Sequence, residues 1–255
     1  MRHRKVVQSC WTPEIEFSGR SAWSPRWRPG ESGRKLSLPM NRWKQLRRRV
    51  LAASIVLTMT LAVWVGMGIT RFVAEGWWLW VVLALPLGVA AIDFVTGVVH
   101  WACDRFGDAT TPIVGPLLIS AFREHHIDPG RMVDHDWIET NGEPCVLAAL
   151  ALAVLAGWAP HVQSGVAAGS VTVLWTMAVV GAWANEVHKW AHMSSAPRLA
   201  RLLQRTGLAL RPNDHACHHQ ASHDSGYCIS TGWMNPLLDR LGLWSWLERA
   251  LRRTT

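Results

Sequence analysis

Charge is scarce in this chain. Charged residues make up 17% of its 255 positions, against about 25% in a soluble globular protein. Tyrosine is nearly missing: there is one, beside 17 tryptophans. That imbalance suits a protein with tryptophan belts at two membrane interfaces. The five cysteines (Cys10, Cys103, Cys145, Cys217, Cys228) form no C-x-x-C pair, so free thiols are expected rather than a disulfide framework. No apolar run follows Met1, so no ordinary signal peptide is expected. The H-E-x-x-H pattern of zinc proteolysis is missing too. The order here is Glu124-His125-His126, and Lys189 follows His188, so the carboxylate base is not where that chemistry needs it. There is no internal repeat.

Positive charge is confined to one end. Residues 1–49 hold 13 Lys/Arg against 3 Asp/Glu, and the other 206 hold 13 against 15. The excess is therefore a tail and not a nucleic-acid-binding face. It reads as a positive-inside signal beside a membrane helix. Residues 1–49 are expected to form a disordered basic tail, and Met40 would itself make a sensible start.

Residues 50–255 are expected to form one membrane domain. Val50–Ile69 is an uncharged run of 20 residues, long enough to cross about 30 Å of hydrocarbon as a helix. A second span covers about 77–100, interrupted by Asp93. The uncharged stretch 144–185 divides at the turn signal Pro160–Gly165. It gives a short third span at about 145–159 and a fourth at about 166–187. Asn141-Gly142 reads as a turn, and residues 112–122 as an interfacial or re-entrant piece. Leu199–Leu210 and Pro236–Leu251 mix apolar residues with arginine at helical spacing and read as surface-lying amphipathic helices. The expected fold is an all-α integral membrane protein. It has four transmembrane helices, a cytoplasmic histidine-rich metal-binding cap and interfacial helices, with both termini cytoplasmic.

That topology puts ten of the 12 histidines on one side, leaving His161 on the other and His3 in the tail. His188 and His192 are i,i+4, so both imidazoles point one way. His215, His218 and His219 put at least two side chains on one face. His100 ends the second span, His125 and His126 lie in the polar loop, and His135 and His223 stand outside the tight groups. One zinc needs three or four ligands, so a larger cluster is most economically read as two metal ions. Imidazole suits Fe, Zn, Cu or Ni. Iron adds a function at a carboxylate-poor site, because it activates O₂ against an unactivated C–H bond. Asp93 shares a face with His100 and is either a ligand, an orienter of one, or a buried carboxylate bonded to Arg105 or to backbone. Glu186 likewise orients a ligand or lies solvated at a helix end.

Six stretches carry a resemblance: Asp93–Trp101, Phe122–Pro129, His135–Gly142, His188–His192, His215–His219 with His223, and Tyr227–Asn235. Together they resemble the plasmanylethanolamine desaturase family, which includes the Kua and carotenogenesis-regulator proteins and is related to the plastid desaturase of phosphatidylglycerol. The resemblance covers roughly residues 85–250. It implies a membrane enzyme that forms the vinyl-ether double bond of plasmalogens from alkyl-ether phosphatidylethanolamine. It implies two iron ions, O₂ as co-substrate and an external electron donor of cytochrome b5-like or ferredoxin-like type.

By residue match, the iron site would be His100, His125, His126, His188, His192, His215, His218, His219 and His223. His135 matches a family histidine, and Asp93, His135 and Glu186 are carried as catalytic candidates. Arg123, Arg198, Arg201 and Arg205 are candidates for the lipid headgroup. An acyl-chain desaturase or a lipid hydroxylase on the same scaffold is the competing enzyme reading. A non-enzymatic metal-binding adaptor or sensor is the competing class. The Arg/Ala/Trp-rich composition points to a bacterial inner membrane.

Overall fold

The computed structural model describes residues 40–220 and 223–253. Residues 1–39 of the expected tail lie outside the described residues. The rest of that tail does not: helix α1 begins at Met40 and runs to Phe72. Residues 40–49 extend that helix, and two of their basic side chains meet acidic ones across the bundle. Arg47 pairs with Glu143, and Arg48 with Asp136.

After α1 the chain passes through a π-helical turn, Val73–Trp77, whose Gly76 has φ +89°. Only glycine takes that left-handed conformation without strain, and the chain reverses there into α2, Trp78–Arg105. A second π turn, Gly115–Ile119, leads into α3 (Ser120–Ile127) and α4 (Pro129–Asp134). Next come α5 (Trp137–Trp158), α6 (Gly165–Ala182) and α7 (Ala184–His192). The chain ends with α8 (Arg198–Arg205), α9 (Pro212–His218), α10 (Asn235–Arg240) and α11 (Leu243–Leu251). No strand occurs among the described residues.

The four long helices α1, α2, α5 and α6 form a bundle whose polarity follows from its contacts. Ser54 Oγ bonds the Gly142 carbonyl at one end, and Arg71 the Ala159 carbonyl at the other. Helices α1 and α5 therefore run the same way. Gly169 packs on Trp80 and Gly181 on Ile92, so α2 and α6 also run together, opposite to the first pair. The N-termini of α1 and α5 and the C-termini of α2 and α6 thus share one end. Phe72, Leu152, Val171 and Val65 fill the bundle interior. Outward, Val56, Val63, Leu147 and Val154 are between 64% and 72% exposed. A lipid interior covers such a surface and water does not. Among the described residues, three stretches are long and apolar enough to cross a membrane: Arg42–Arg105, which holds the reversal at Gly76, Trp137–His161 and Gly165–Ala182.

Several expected boundaries move, each for a local reason. The third helix starts at Trp137 and not near 145, because Asp136 builds a capping box. Its side chain accepts from the Ile138 and Glu139 N–H groups while Glu139 reaches back to the Asp136 N–H. Asn141-Gly142 is therefore inside a helix and not a turn. A Cβ on Gly142 would come within 2.5 Å of Leu51, so glycine lets α1 and α5 touch.

The fourth span ends at Ala182. Trp183, with φ −105° and ψ 1°, breaks the helix, and His188 and His192 sit on the separate α7. The amphipathic stretch 236–251 is two helices divided at Gly242 (φ +62°). Its Trp244 is 3% exposed and packs on Trp101 and Tyr227, so one face of α11 clamps the cap, while Trp246 and Leu251 are exposed on the other. In α8, Leu199 and Leu202 are exposed along with Arg198, Arg201 and Arg205, as a membrane-surface helix requires. Cys103, Cys145 and Cys228 are free thiols, as expected.

Candidate metal centre

The cap is built at the end of the bundle where α2 and α6 finish. His100 is in the last turns of α2, His125 and His126 are on α3, His188 and His192 on α7, and His215 and His218 on α9, with His219 capping it. Two groups of candidate ligand atoms result, each gathered within 4.8 Å. One holds His125, His188, His192, His215 and His219. The other holds His100, His125, His126 and His218. His125 belongs to both.

In the first group the Nε2 atoms face one another. His188 and His215 are 2.8 Å apart, His192 and His215 2.9 Å, His215 and His219 3.0 Å, and His188 and His192 3.2 Å. Imidazole nitrogens about 2.1 Å from a shared ion at right angles would be about 3.0 Å apart. In the second group His126 and His218 Nε2 are 3.1 Å apart.

Outer bonds decide which nitrogens are available. His100 Nδ1 donates to the Tyr227 carbonyl at 3.1 Å, and His218 Nδ1 to the Ser225 carbonyl at 2.8 Å. These bonds fix the tautomer and leave each Nε2 as a bare lone pair, which is the usual arrangement behind a metal-bound histidine. His100 Nε2 and His125 Nε2 are buried with no hydrogen-bond partner. Burial, then the neighbouring imidazoles, hold His126 down to about 3, His192 to about 4 and His219 to about 2. Those three imidazoles are therefore neutral near pH 7 and have lone pairs to give. Two adjacent ions fit this donor set, with nitrogen ligands that suit iron.

The other expected site residues fall elsewhere. Asp93 accepts three backbone N–H bonds, from Thr231 (2.8 Å), Gly232 (3.0 Å) and Met234 (3.0 Å). It is the backbone-bonded carboxylate of the alternatives above, and it anchors the loop whose Tyr227 carbonyl holds His100. Glu186 accepts from Asn141 Nδ2 at 3.0 Å and Trp190 Nε1 at 2.8 Å, so it ties α7 to α5 and stands outside both donor groups. His135 is exposed, and its carbonyl receives Lys189 Nζ. His223 is also outside both groups. Its Nδ1 donates to the His218 carbonyl at 3.0 Å, and its ring packs 4.5 Å from that of His126.

Arg123 is occupied at the end of α2, donating to the Cys103, Phe106 and Gly107 carbonyls. It satisfies carbonyls that a helix C-terminus leaves open, so its expected headgroup role does not fit its position. Arg201 donates to the Ala196 carbonyl at 2.5 Å, while Arg198 and Arg205 are exposed. The sequence reading missed Asp104, one helical turn beyond His100. Its Oδ2 lies 3.4–3.5 Å from Nε2 of His100, His126 and His218. The i,i+4 spacing from His100 was the signal available.

Comparison with known proteins agrees with this geometry. Residues 89–255 match the lipid desaturase domain. The chain belongs to the lipid desaturase domain family. The match covers both donor groups. Among similar proteins, the plasmanylethanolamine desaturase of Myxococcus xanthus is 39% identical over 181 residues, 69% of this chain and 62% of that protein. Plasmanylethanolamine desaturase 1 of Mus musculus is 36% identical over 180 residues, 69% of this chain and 66% of that protein. The chloroplastic fatty acid desaturase 4-like 1 of Arabidopsis thaliana is 34% identical over 180 residues, 68% of this chain and 57% of that protein. The lipid desaturase domain chain thus spans less than two thirds of the length of these relatives. No solved structure matches it.

Proposed function

We propose that this chain is an O₂-dependent lipid desaturase with two iron ions, acting on an alkyl-ether phospholipid in the membrane. The observation that carries the reading is the pair of adjacent, largely buried histidine groups that share His125. His188, His192, His215 and His219 would hold one ion, and His100, His126 and His218 the other, with His125 between them. Bound there, iron would supply the activation of O₂ that an unactivated C–H bond requires. The substrate class comes from the two plasmanylethanolamine desaturases that the chain resembles.

The reaction balances as follows. Two hydrogens leave neighbouring carbons of the ether chain, giving –O–CH=CH–. O₂ takes these hydrogens with two electrons and two protons from an external donor, and two waters form. The chain's own part is orientation. Tyr227 and Ser225 fix the imidazoles of His100 and His218 through their carbonyls. Asp93 holds the loop that carries Tyr227, and Glu186 and Asn141 hold α7. Arg198 and Arg205, on the exposed face of α8, would meet the phosphate of the headgroup.

The topology is four crossings, by α1, α2, α5 and α6, with the cap in the cytoplasm of a bacterial inner membrane. The supporting asymmetry is that Arg42, Lys44, Arg47, Arg48 and Arg49 lie at the cap end of α1, whereas Arg71 stands alone at the opposite end.

The resemblance to the plant fatty acid desaturase favours a second reading, desaturation of an acyl chain. One experiment separates the two. Membranes containing the full chain are supplied with ferrous iron, a competent reductant, O₂ and either alkyl-ether or diacyl phosphatidylethanolamine. An acid-labile ether lipid lighter by two hydrogens is the expected product. A desaturated diacyl lipid alone would establish the second reading, and a product heavier by one oxygen would mean hydroxylation. No product with iron-replete protein would overturn both.

A further inference from the structure

The second donor group contains more than histidine. Asp104 lies one turn beyond His100 on α2, and its side chain is 8% exposed. Its Oδ2 stands 3.5 Å from His100 Nε2, 3.4 Å from His126 Nε2 and 3.5 Å from His218 Nε2. These approaches are not hydrogen bonds. Both Asp104 oxygens and His100 Nε2 are buried without a hydrogen-bond partner. His100 and His218 turn their Nδ1 atoms to the Tyr227 and Ser225 carbonyls, so Nε2 is the atom each aims at Oδ2, which no donor meets within hydrogen-bond geometry. A buried carboxylate left in that state is costly unless a cation lies among the four atoms. Four ligands about 2.1 Å from one ion are about 3.4 Å apart when tetrahedrally placed, which is the spacing found around Oδ2.

We propose that Asp104 is a direct ligand of the second ion, making the pair chemically unequal. The first ion is held by imidazoles alone. The second is held by the imidazoles of His100, His126 and His218 and by the carboxylate of Asp104. This rests on the two-ion reading above. The anionic ligand stabilises the higher charge state of its own ion. The second ion is therefore the harder of the two to reduce and the harder to remove.

The test uses the purified full chain in detergent, titrated anaerobically with Co(II) and with Fe(II). The wild type is expected to take up two ions with two distinguishable spectra. Asp104→Asn, the same size and uncharged, is expected to hold one, keeping the spectrum of the all-imidazole site. Asp104→Glu is expected to recover the second ion at lower affinity. Asp104→Cys gives a positive readout, because a thiolate at a ligand position adds a sulfur-to-cobalt charge-transfer band. Two ions with unchanged spectra in Asp104→Asn, together with no sulfur band in Asp104→Cys, would overturn the proposal. Fewer than two ions in the wild type would instead sink the two-ion reading, and the sulfur band alone would then judge Asp104.

Discussion

Asn185 Nδ2 donates to the Thr140 carbonyl at 3.3 Å, across from α7 to α5. The bond exists because of Pro144. A proline has no N–H to give the carbonyl four residues back, so Thr140 O is open in the middle of a helix, and Asn185 fills the gap. With Glu186 on Asn141, this bond sets where α7 lies, and with it His188 and His192. Asn185→Ala should cost about 1–3 kcal/mol, the penalty for a buried acceptor left unmade. It should also weaken metal retention. Pro144→Ala should rescue it by restoring the helical N–H, while having little effect alone. Thermal unfolding and metal content of the two single variants and the double measure this coupling. Purely additive effects would refute it.

Asp93 gives a second prediction. Its two oxygens accept three N–H bonds from residues 231–234. Charge-assisted bonds of this kind contribute about 1.5–3 kcal/mol each. Asp93→Ala should therefore prevent accumulation of folded protein in membranes. Asp93→Asn keeps one oxygen, which suffices for Thr231 and Gly232. It should fold with a lowered Tm and a full metal complement. Loss of an ion in well-folded Asp93→Asn would return Asp93 to the ligand set.

These two sites show what the sequence could reveal. The helix bundle was visible from the long, nearly uncharged runs, because a membrane span is defined by length and polarity alone. The histidine set was visible because i,i+4 spacing and topology both act over known distances. The start of α5 was available in principle, since Asp136 and Glu139 have capping-box spacing, but Asn141-Gly142 outweighed it as a turn signal. The break at Trp183 and the burial of Trp244 depend on partners distant in sequence, Thr140 and Asn141 for one, Trp101 and Tyr227 for the other. No local pattern carries such information. Asp104 is a case of the same kind: only its i,i+4 spacing from His100 is local, and its place beside His126 and His218 depends on α3 and α9.

The arginines separate into two classes with different kinetics. Arg123 closes the end of α2 through the Cys103, Phe106 and Gly107 carbonyls. Arg123→Ala should lower stability by about 1–3 kcal/mol and disturb α3 with His125 and His126, reducing kcat. Arg198→Ala and Arg205→Ala touch only the exposed face of α8. Each should raise the apparent KM for phospholipid about fivefold, the equivalent of about 1 kcal/mol for one basic residue at a charged membrane surface, with kcat unchanged. An unchanged KM in the α8 double variant would remove that helix from headgroup binding.

The last prediction concerns the cap without metal. Four Nε2 atoms from α7 and the α9 end lie 2.8–3.2 Å apart, close enough for all four to share one ion. An ion between them would add a direct attraction to each of the four rings. Chelation removes that attraction, whereas the bundle of α1, α2, α5 and α6 is held by apolar packing that no ion touches. Metal removal should therefore loosen α7 and α9 selectively. Limited proteolysis should cut between residues 193 and 225 in chelated protein and spare the long helices, and hydrogen exchange should rise in the same segment. Restored iron or cobalt should reverse both changes. Equal protection of the segment with and without metal would show that packing alone, through Leu210, Ile229 and Ala191, holds the cap closed.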